Sequence, residues 1–420
     1  MSRDVPEGWT PVRLGALVEI ERANFSIDEI NSFDSVRLYS LPAFDIAAVP
    51  EKIAGSEVLS NKYRVPADCI LFSKLNPRIP RVWRVKHEHL EPALGSTEFW
   101  PLTPINGNVD LDFLTSFLTS GDFLNSPKIT PASSTNSHQR VDRKAFENFE
   151  MLLPPLHEQR RIAETLSSVD EAIAATRAVI EQTRKVKQCV LERLLTKGIG
   201  HTRFKHTEIG EIPDGWDLMR LRDLAVYITS GSRGWAQFYS EEGDLFLRSQ
   251  NVRNGALDLS DKQFVTVPKN AEGSRTLVQA NDLVFTITGN SVGNVAIIPA
   301  DFGNAYVSQH VALVRLKDRQ LSDFLSAFFS PSGPGNSQIL SAQYGQSKPG
   351  LSLENVRSFH VPVPPYHELA QLTEIVKNQD VYEMSLATEL AHLISLKSAL
   401  MFDLLSGRKR VTDALPMAAE

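Results

Sequence analysis

Two short motifs in this 420-residue chain contain residue types that act in nucleic-acid chemistry. Residues 142–144 (DRK) have the Asp-x-Lys spacing of many nucleases, but no Pro-Asp partner stands suitably upstream, and the second half of the chain has SLE at 352–354. Residues 363–366 (VPPY) resemble the D/N-P-P-Y/F motif, whose first side chain accepts a hydrogen bond from a target amino group. The Val363 side chain cannot accept one. We therefore interpret VPPY and its first-half counterpart, residues 153–156 (LPPL), as strand-to-helix connections, and we expect no nuclease activity from DRK.

Other catalytic and metal-binding patterns are missing from the sequence. It contains no GxxxxGK[ST] phosphate loop and no GxGxxG fingerprint, and residues 289–294 (GNSVGN) have the spacing of a tight loop. The ten histidines show no metal-ligand spacing, and Cys69 and Cys189 lie far apart. We therefore expect no catalytic residue, no metal site and no cofactor on this chain, and a reducing cytoplasm as its location.

The charge of the chain leaves two possibilities open. Its net charge is −6, whereas a small domain that binds nucleic acid alone is usually basic. Either the chain does not bind nucleic acid, or its basic residues are local and partners supply further phosphate contacts. A solvated face is the alternative for any charge cluster. The basic residues cluster in two places: Arg78, Arg81, Arg84 and Lys86, then His138, Arg140, Arg143 and Lys144.

The elements that would position such residues occur twice. Residues 5–9 (VPEGW), 152–159 (LLPPLHEQ) and 191–198 (LERLLTKG) match 212–216 (IPDGW), 362–369 (PVPPYHEL) and 401–408 (MFDLLSGR). Between them, only short predicted strands agree: 68–74 with 281–287, and 95–99 with 307–311. The ends of each half thus match better than the middles. Duplication with drift is the alternative, but it does not explain that difference.

Two long helices are predicted after the Pro-Pro pairs. Residues 158–197 and 368–406 contain neither Pro nor Gly, and a glycine follows each segment. Apolar residues recur at intervals of four and three, as a coiled-coil seam requires. The seam positions are Ile162, Leu166, Val169, Ile173, Thr176, Ile180, Thr183, Lys187, Val190 and Leu194, then Leu372, Val376, Gln379, Glu383, Leu386, Leu390, Leu393, Lys397, Leu400 and Leu404.

The two seams complement each other in part, because each is polar at places where the other is apolar. We therefore predict that the helices pair with each other, as a rod of roughly 60 Å for about 40 residues. The predicted domains are 1–155 and 212–365 (globular), 156–198 and 366–407 (helices), 199–211 (linker) and 408–420 (tail). The predicted fold class is α/β (α+β), with two globular domains of short mixed strands separated by two long antiparallel helices that form a coiled coil, in an internal two-fold repeat.

Residues 153–173 (LPPLHEQRRIAETLSSVDEAI) and 191–216 (LERLLTKGIGHTRFKHTEIGEIPDGW) resemble the central region of type I restriction-modification specificity subunits. The resemblance covers essentially the whole chain, although VPPYHELAQ replaces the usual PPxxEQ in the second half and Glu383 lies in the seam. It implies an antiparallel coiled coil and two target-recognition domains, each of which reads half of a split DNA site. It also implies two methyltransferase subunits that use S-adenosylmethionine, and restriction subunits that use ATP with Mg²⁺.

Because of this resemblance, we expect polar residues in the loops between strands to contact DNA bases. A solvated loop is the alternative for each residue. The candidates in the first domain are Ser73, Lys74, Asn76, Arg78, Arg81, Ser133, Ser134, Thr135, Asn136, Ser137, His138, Gln139 and Arg140. In the second domain they are Ser230, Ser232, Arg233, Trp235, Gln237, Arg248, Gln250, Asn251, Gln343, Tyr344, Gln346 and Lys348.

Partner contacts and the form of the target also follow from the resemblance. Arg160, Arg161, Arg184 and Lys185 are candidate contacts with methyltransferase subunits, with solubilising charge as the alternative. Dissimilar domains predict an asymmetric bipartite site in double-stranded DNA, with an unread gap of roughly five to eight base pairs. A coiled-coil structural adaptor without DNA contact is the alternative function. It would lack polar, aromatic-rich loops, which this chain has.

Overall fold

The computed structural model describes residues 5–130, 139–253, 255–267, 271–289, 291–344 and 350–411. The chain divides into two compact units. Unit 1 comprises Met1–Arg177 and Glu389–Glu420, and unit 2 comprises Ala178–Thr388. Unit 2 is therefore one continuous segment, whereas unit 1 is built from both ends of the sequence.

The elements of unit 1 follow the first half of the repeat. Its strands are β1 (Thr10–Arg13), β2 (Val18–Ile20), β3 (Asn24–Phe25), β4 (Val36–Tyr39), β5 (Glu51–Ile53), β6 (Lys62–Arg64), β7 (Asp68–Ser73), β8 (Val82–Lys86), β9 (Ala93–Gly95), β10 (Phe99–Pro104) and β11 (Glu150–Leu153). Its helices are α1 (Leu14–Leu17), α2 (Ile27–Asn31), α3 (Leu41–Ala47), α4 (Leu111–Leu118), α5 (Gly121–Leu124), α6 (Arg143–Glu147) and the first part of α7 (Leu156–Lys197).

The elements of unit 2 follow the second half. Its strands are β12 (Phe204–Thr207), β13 (Gly210–Pro213), β14 (Asp217–Arg220), β15 (Ala225–Ser230), β16 (Tyr239–Ser240), β17 (Asp244–Leu247), β18 (Val252–Arg253), β19 (Ala256–Leu257), β20 (Phe264–Val265), β21 (Leu283–Thr286), β22 (Val295–Ile297), β23 (Ala305–Val307), β24 (Val311–Leu316) and β25 (His360–Val363). Its helices are α8 (Leu221–Leu224), α9 (Ala271–Thr276), α10 (Ser322–Phe329), α11 (Asn336–Ser341), α12 (Leu353–Ser358) and the first part of α13 (Tyr366–Leu405).

Among the described residues, one four-stranded sheet has the same topology in both units, whereas the second sheet has the order β3-β6-β9-β4-β5 in unit 1 and β16-β20-β17-β23 in unit 2. A four-stranded antiparallel sheet has the order β2-β10-β7-β8 in unit 1 and β15-β24-β21-β22 in unit 2. A second sheet contains one parallel pair in each unit, β4 with β9 and β17 with β23. The central strands β7, β21 and β24 are almost entirely buried, which accounts for their continuous apolar runs. The predicted fold class and internal repeat are confirmed.

The two long helices end close to the predicted boundaries, and each of the 20 seam positions is buried or half-buried. Within unit 2, Lys187 of α7 binds Asp380 and Glu383 of α13 at 2.7 and 2.9 Å. Because residues 199 and 201, beyond the end of α7, bind Glu368 near the start of α13, the helices run antiparallel. The predicted complementarity of the seams is wrong at Lys187, where a polar residue meets another polar residue as an ion pair.

A buried carboxylate near the start of each long helix explains why the GW and HE motifs recur together. In unit 2, Trp216 Nε1 donates to Glu368 at 2.8 Å, and the Ile199 amide and His201 Nε2 lie 2.8 and 2.9 Å from the same carboxylate. In unit 1, Trp9 Nε1 donates to Glu158 at 3.0 Å. Arg410 completes that site with donors at 2.6 and 2.8 Å from the Glu158 carboxylate. The residues that follow one long helix therefore bind the first turn of the other.

Unit 2 is expected to lose stability in acid. Burial raises the pKa of Glu368, but hydrogen bonds from Ile199, Trp216 and His201 outweigh burial, so the pKa lies below its usual 4.5. The pKa of Glu383 is also lowered, because its bonds to Lys187 and Arg184 outweigh burial. A lowered carboxyl pKa contributes stability that is fully present above the unfolded-state pKa and is lost as pH falls through the folded-state pKa.

Urea unfolding of unit 2, followed at pH 7 and at a series of pH values below about 4.5, measures this loss. Glu368→Gln should make the unfolding midpoint less dependent on pH across that window. Glu374→Gln, at an exposed position of the same helix, is the matched control. An equal acid response in the wild-type protein and both variants would contradict the prediction.

Among the described residues, no helix is both long and apolar enough to cross a membrane.

Candidate nucleic-acid interface

Loops at one edge of unit 1 are joined by backbone hydrogen bonds. The unit 1 loop edge comprises residues 74–81, 96–98 and 139–141. Lys74 N–H donates to Glu98 O at 3.0 Å, and Val141 N–H donates to Lys74 O at 2.8 Å. Asn76 N–H donates to Gln139 O at 2.7 Å. Two of the loops predicted from sequence are therefore brought together here.

Unit 2 has the same hydrogen-bonded arrangement. The unit 2 loop edge comprises residues 230–233, 248–251, 287–289, 308–310 and 350–351. Ile287 N–H donates to His310 O at 2.9 Å, and Leu351 N–H donates to Ile287 O at 2.8 Å, as Lys74 and Val141 do in unit 1. Ser308 N–H donates to Leu247 O, matching the bond from Ser96 to Tyr39 O. One backbone frame therefore supports different side chains in the two units.

Exposed polar side chains lie on or next to both loop edges. The exposed candidates are Arg78, Arg140, Ser232, Arg233, Gln237 and Tyr344. Half-buried candidates are Lys74, Asn76, Arg81, Gln139, Ser230, Arg248, Gln250 and Gln343. Ser133, Ser134, Thr135, Asn136, Ser137, His138, Gln346 and Lys348 lie outside the described residues. None of these positions is tested as a DNA contact, so they stay predictions.

Three candidates are corrected by their burial. The Ser73 hydroxyl donates to Leu75 O within its own turn. Trp235 is 4% exposed and stacks on Phe246 with ring centroids 5.0 Å apart. Asn251 is 2% exposed, and its side chain accepts from Arg248 N–H and donates to two backbone carbonyls. All three position the loops, because their polar or aromatic groups are used inside the unit.

Much of the predicted basic surface is paired with carboxylates. Arg81 donates two hydrogen bonds to Asp45, at 2.6 and 2.8 Å. The side-chain hydrogen bond and the charge of Arg81 lower the pKa of Asp45. The Arg81 guanidinium would have to break both hydrogen bonds to Asp45 before it could contact guanine bidentately. The remaining pairs in these clusters are Arg84 with Asp68 and Asp112, Lys86 with Asp112, Arg140 with Glu98, and Arg143 with Glu147.

Sequence reasoning missed the turns at 96–98 and 308–310. The sequence predicts both only as parts of two matching segments, 95–99 and 307–311. The residues at the centre of these two segments differ. That difference, TE at 97–98 against QH at 309–310, was the available signal. The loop after β21 was interpreted only as a tight turn. In the structure Thr288 and Tyr344 both pair with Gly350, which places this loop beside the candidate Tyr344.

Among the described residues, no group of three or more His, Cys, Asp or Glu side chains could hold a metal ion. Burial raises the pKa of the Cys69 thiol to about 12, so this cysteine is not a nucleophile near neutral pH. The loop edges present hydrogen-bond donors and acceptors on loops that are joined by backbone hydrogen bonds.

Alanine at Arg78 or Arg233 is expected to weaken binding of the specific DNA site by about 1–3 kcal/mol, if each contacts guanine bidentately. Arg78 lies in the unit 1 loop edge and Arg233 lies in the unit 2 loop edge, and both are exposed. Each variant should relax one half-site only. Titration with the wild-type site and with single-base variants measures this effect. Arg193→Ala, exposed on α7, is the control. Unchanged affinity and unchanged specificity in both variants would remove these arginines from the interface.

The structure shows two modules with a similar sheet and loop edge, one in each unit, and each unit contains part of both long helices. The type I restriction modification DNA specificity domain matches residues 6–183 and 213–394, once for each module. The chain belongs to this family of specificity proteins.

The chain is similar to specificity subunits over much of its length. It is 26% identical to the type I restriction enzyme MjaVIII specificity subunit of Methanocaldococcus jannaschii over 275 residues, which span 64% of each protein. It is 24% identical to the putative MjaX specificity subunit of that organism, over 97% of this chain and 95% of the relative. The EcoKI specificity subunit of Escherichia coli K12 is 20% identical, over 94% and 88%.

Solved structures share the fold. A chain from a structural study of complex assembly and conformational transition of the type I R-M system matches with a TM-score of 0.64 and 19% identity, over 97% of this chain and 100% of that one. The type I restriction-modification S subunit from M. genitalium matches with a TM-score of 0.56 and 15% identity, over 96% and 97%.

Proposed function

We propose that each loop edge reads one half of an asymmetric, bipartite site in double-stranded DNA. The observation that supports this most directly is the shared backbone frame of the two loop edges, which presents different side chains in each unit. Similar frames place each loop at an equivalent position, and different side chains select different base edges. A symmetric target would need the same side chains twice.

The chain contributes recognition and no catalysis in this proposal. Two methyltransferase subunits bound to it supply S-adenosylmethionine chemistry, and restriction subunits supply cleavage with ATP and Mg²⁺. The ion pairs within the basic clusters support this division, because they leave fewer cations for phosphate contact than the sequence suggests. Partner subunits would add the remaining phosphate contacts.

Purification of the chain alone and with its methyltransferase subunits, followed by DNA binding and long-read mapping of methylated adenines, tests the proposal. The expected map shows one split, non-palindromic site. A continuous or palindromic methylated site would contradict the two-module arrangement. A complex that assembles but binds no DNA would favour the structural adaptor.

The methyltransferase contact is proposed for the long helices. Of the charged candidates, Arg160 and Lys185 are exposed and Arg161 is half-buried, whereas Arg184 is bound to Glu181 and Glu383. An apolar pair lies on α13 within unit 2: Val381 is 68% exposed and Met384, one turn further, is 72% exposed. Apolar side chains exposed next to each other are typical of contact surfaces.

Val381→Lys combined with Met384→Lys is expected to reduce co-purification of the methyltransferase subunit at least tenfold, because the variant would bury charge at the contact. Val226→Lys, at a position 60% exposed on β15, is the control and should not change it. Charge reversal at Arg160 and Arg161 tests the charged candidates separately. Normal co-purification of the α13 variant would exclude the apolar pair from the interface.

A further inference from the structure

The turn between β23 and β24 is hydrogen-bonded to two other segments of the unit 2 loop edge and to the end of β17. Ser308 N–H donates to Leu247 O at 2.9 Å, and Gly231 N–H donates to Ser308 O at 3.2 Å. Ile287 N–H donates to His310 O at 2.9 Å. Gly231 packs so closely on this turn that a Cβ there would collide with the backbone of residues 307–309. The backbone of this turn is therefore held by three neighbouring segments.

One of the two polar atoms of the Gln309 side-chain amide, in the middle of this turn, has no hydrogen-bond partner among the described residues. Its Nε2 lies 2.9 Å from His310 Nε2. Its Oε1 is shielded from solvent and has no hydrogen-bond donor among the described residues. A shielded amide oxygen without a donor is unfavourable, and rotation of the half-buried side chain toward a ligand would relieve this. The Asn251 amide differs, because both of its polar atoms are bonded inside the unit.

The equivalent turn of unit 1 has different side chains on the same frame. Thr97 occupies the position of Gln309, and Glu98 occupies the position of His310. Glu98 is bound to Arg140, with the shorter contact at 2.6 Å. Three backbone bonds correspond between the two turns, those made by Ser96, Phe99 and Glu98 in unit 1 and by Ser308, Val311 and His310 in unit 2, whereas the side chains at the two middle positions differ. This is the variation that two dissimilar half-sites require.

We infer that Gln309 is a specificity-determining residue of unit 2 and that it contacts an adenine in the major groove of the second half-site. The inference rests on the proposed function. A glutamine amide has one acceptor and one donor in the spacing of adenine N6–H and N7, and guanine and the pyrimidines do not present that pair. The unsatisfied Oε1 is the acceptor that adenine N6–H would satisfy, while Nε2 donates to N7.

Methylated-adenine mapping of the complex with its methyltransferase subunits tests the inference. Gln309→Ala should relax one adenine position in one half-site, with roughly 5- to 150-fold less discrimination against other bases there. The other half-site and the gap should not change. Gln309→Met, which keeps the length of the side chain but has no amide, should give the same pattern. Gln320→Ala, at an exposed position before α10, is the control and should give the wild-type map.

The outcomes separate this inference from the proposed function. A wild-type complex without any defined bipartite site contradicts the proposed function. A defined wild-type site that both Gln309 variants recognise unchanged contradicts only the inference. Relaxation at a position that is not adenine overturns the assignment of the base. Loss of all methylation in both variants, with normal complex assembly, also overturns it, because a base-contacting residue affects one position.

Discussion

Trp216→Ala is expected to lower the free energy of unfolding of unit 2 by about 3–5 kcal/mol. The Trp216 side chain is fully buried in the core that contains Leu195 of α7, Leu369 of α13 and Phe324 of α10. Its removal leaves a large cavity and takes one donor from the Glu368 carboxylate. Chemical unfolding followed by hydrogen exchange, with peptides from each unit analysed separately, measures the loss.

Two further variants sharpen this test. Trp216→Phe keeps a large aromatic ring but loses the indole N–H and part of the volume, so it should cost less than alanine, about 1–3 kcal/mol. Trp9→Ala makes the matching change beside Glu158 and should destabilise unit 1. An alanine variant at Trp216 that unfolds at the wild-type denaturant concentration would show that this contact does not join the globular part of unit 2 to its helices.

Exchange of residues 14–149 for the corresponding segment of another family member is expected to replace one half-site and leave the other unchanged. These boundaries keep β1 and β11 in the host chain, where they pair from Thr10 with Leu153 to Arg13 with Glu150. Each mismatched base pair costs about 1–3 kcal/mol, so a half-site of a few bases changes discrimination by several orders of magnitude. Long-read methylation mapping gives both half-sites and the gap.

The matching exchange in unit 2 replaces residues 221–359, between the paired strands β14 and β25. It should change the other half-site only. The length of the gap should stay the same in both chimaeras, since neither exchange alters the helices. A gap that changes with either exchange would show that the globular parts, and not the helices, set the distance between the half-sites.

The helices were the most predictable part of the fold. Apolar residues at intervals of four and three indicate which face of a helix is buried, because this spacing depends only on residues that are near each other in sequence. Glu383 is an unusual seam residue in the sequence, because seam positions are usually apolar. In the structure Glu383 binds Lys187 and Arg184 of the other long helix. The sequence does not predict this pairing, because it does not give the register of one helix against the other.

The loop edges were less predictable, because their parts come from distant segments. The parallel pairing of β17 with β23 joins Leu247 to Val307, and no local pattern reports such a pairing. Trp235 follows a glycine-rich stretch that indicates an exposed loop, but aromatic packing places it in the core. The predicted linker also contains a strand, β12, which pairs with β13. Strand pairing and burial decided these cases, and both depend on tertiary contacts.

The division of unit 1 between the two ends of the chain has a consequence for folding during synthesis. Leu404 and Leu405 belong to the same core as Trp9 and Ile162, so this core stays incomplete until residues 389–411 have been made. Unit 2 is continuous, and all of its residues are made before that last segment. At about 5–20 residues per second, unit 1 waits roughly 10–40 s for its last segment. The half that is translated first is therefore the half that finishes folding last.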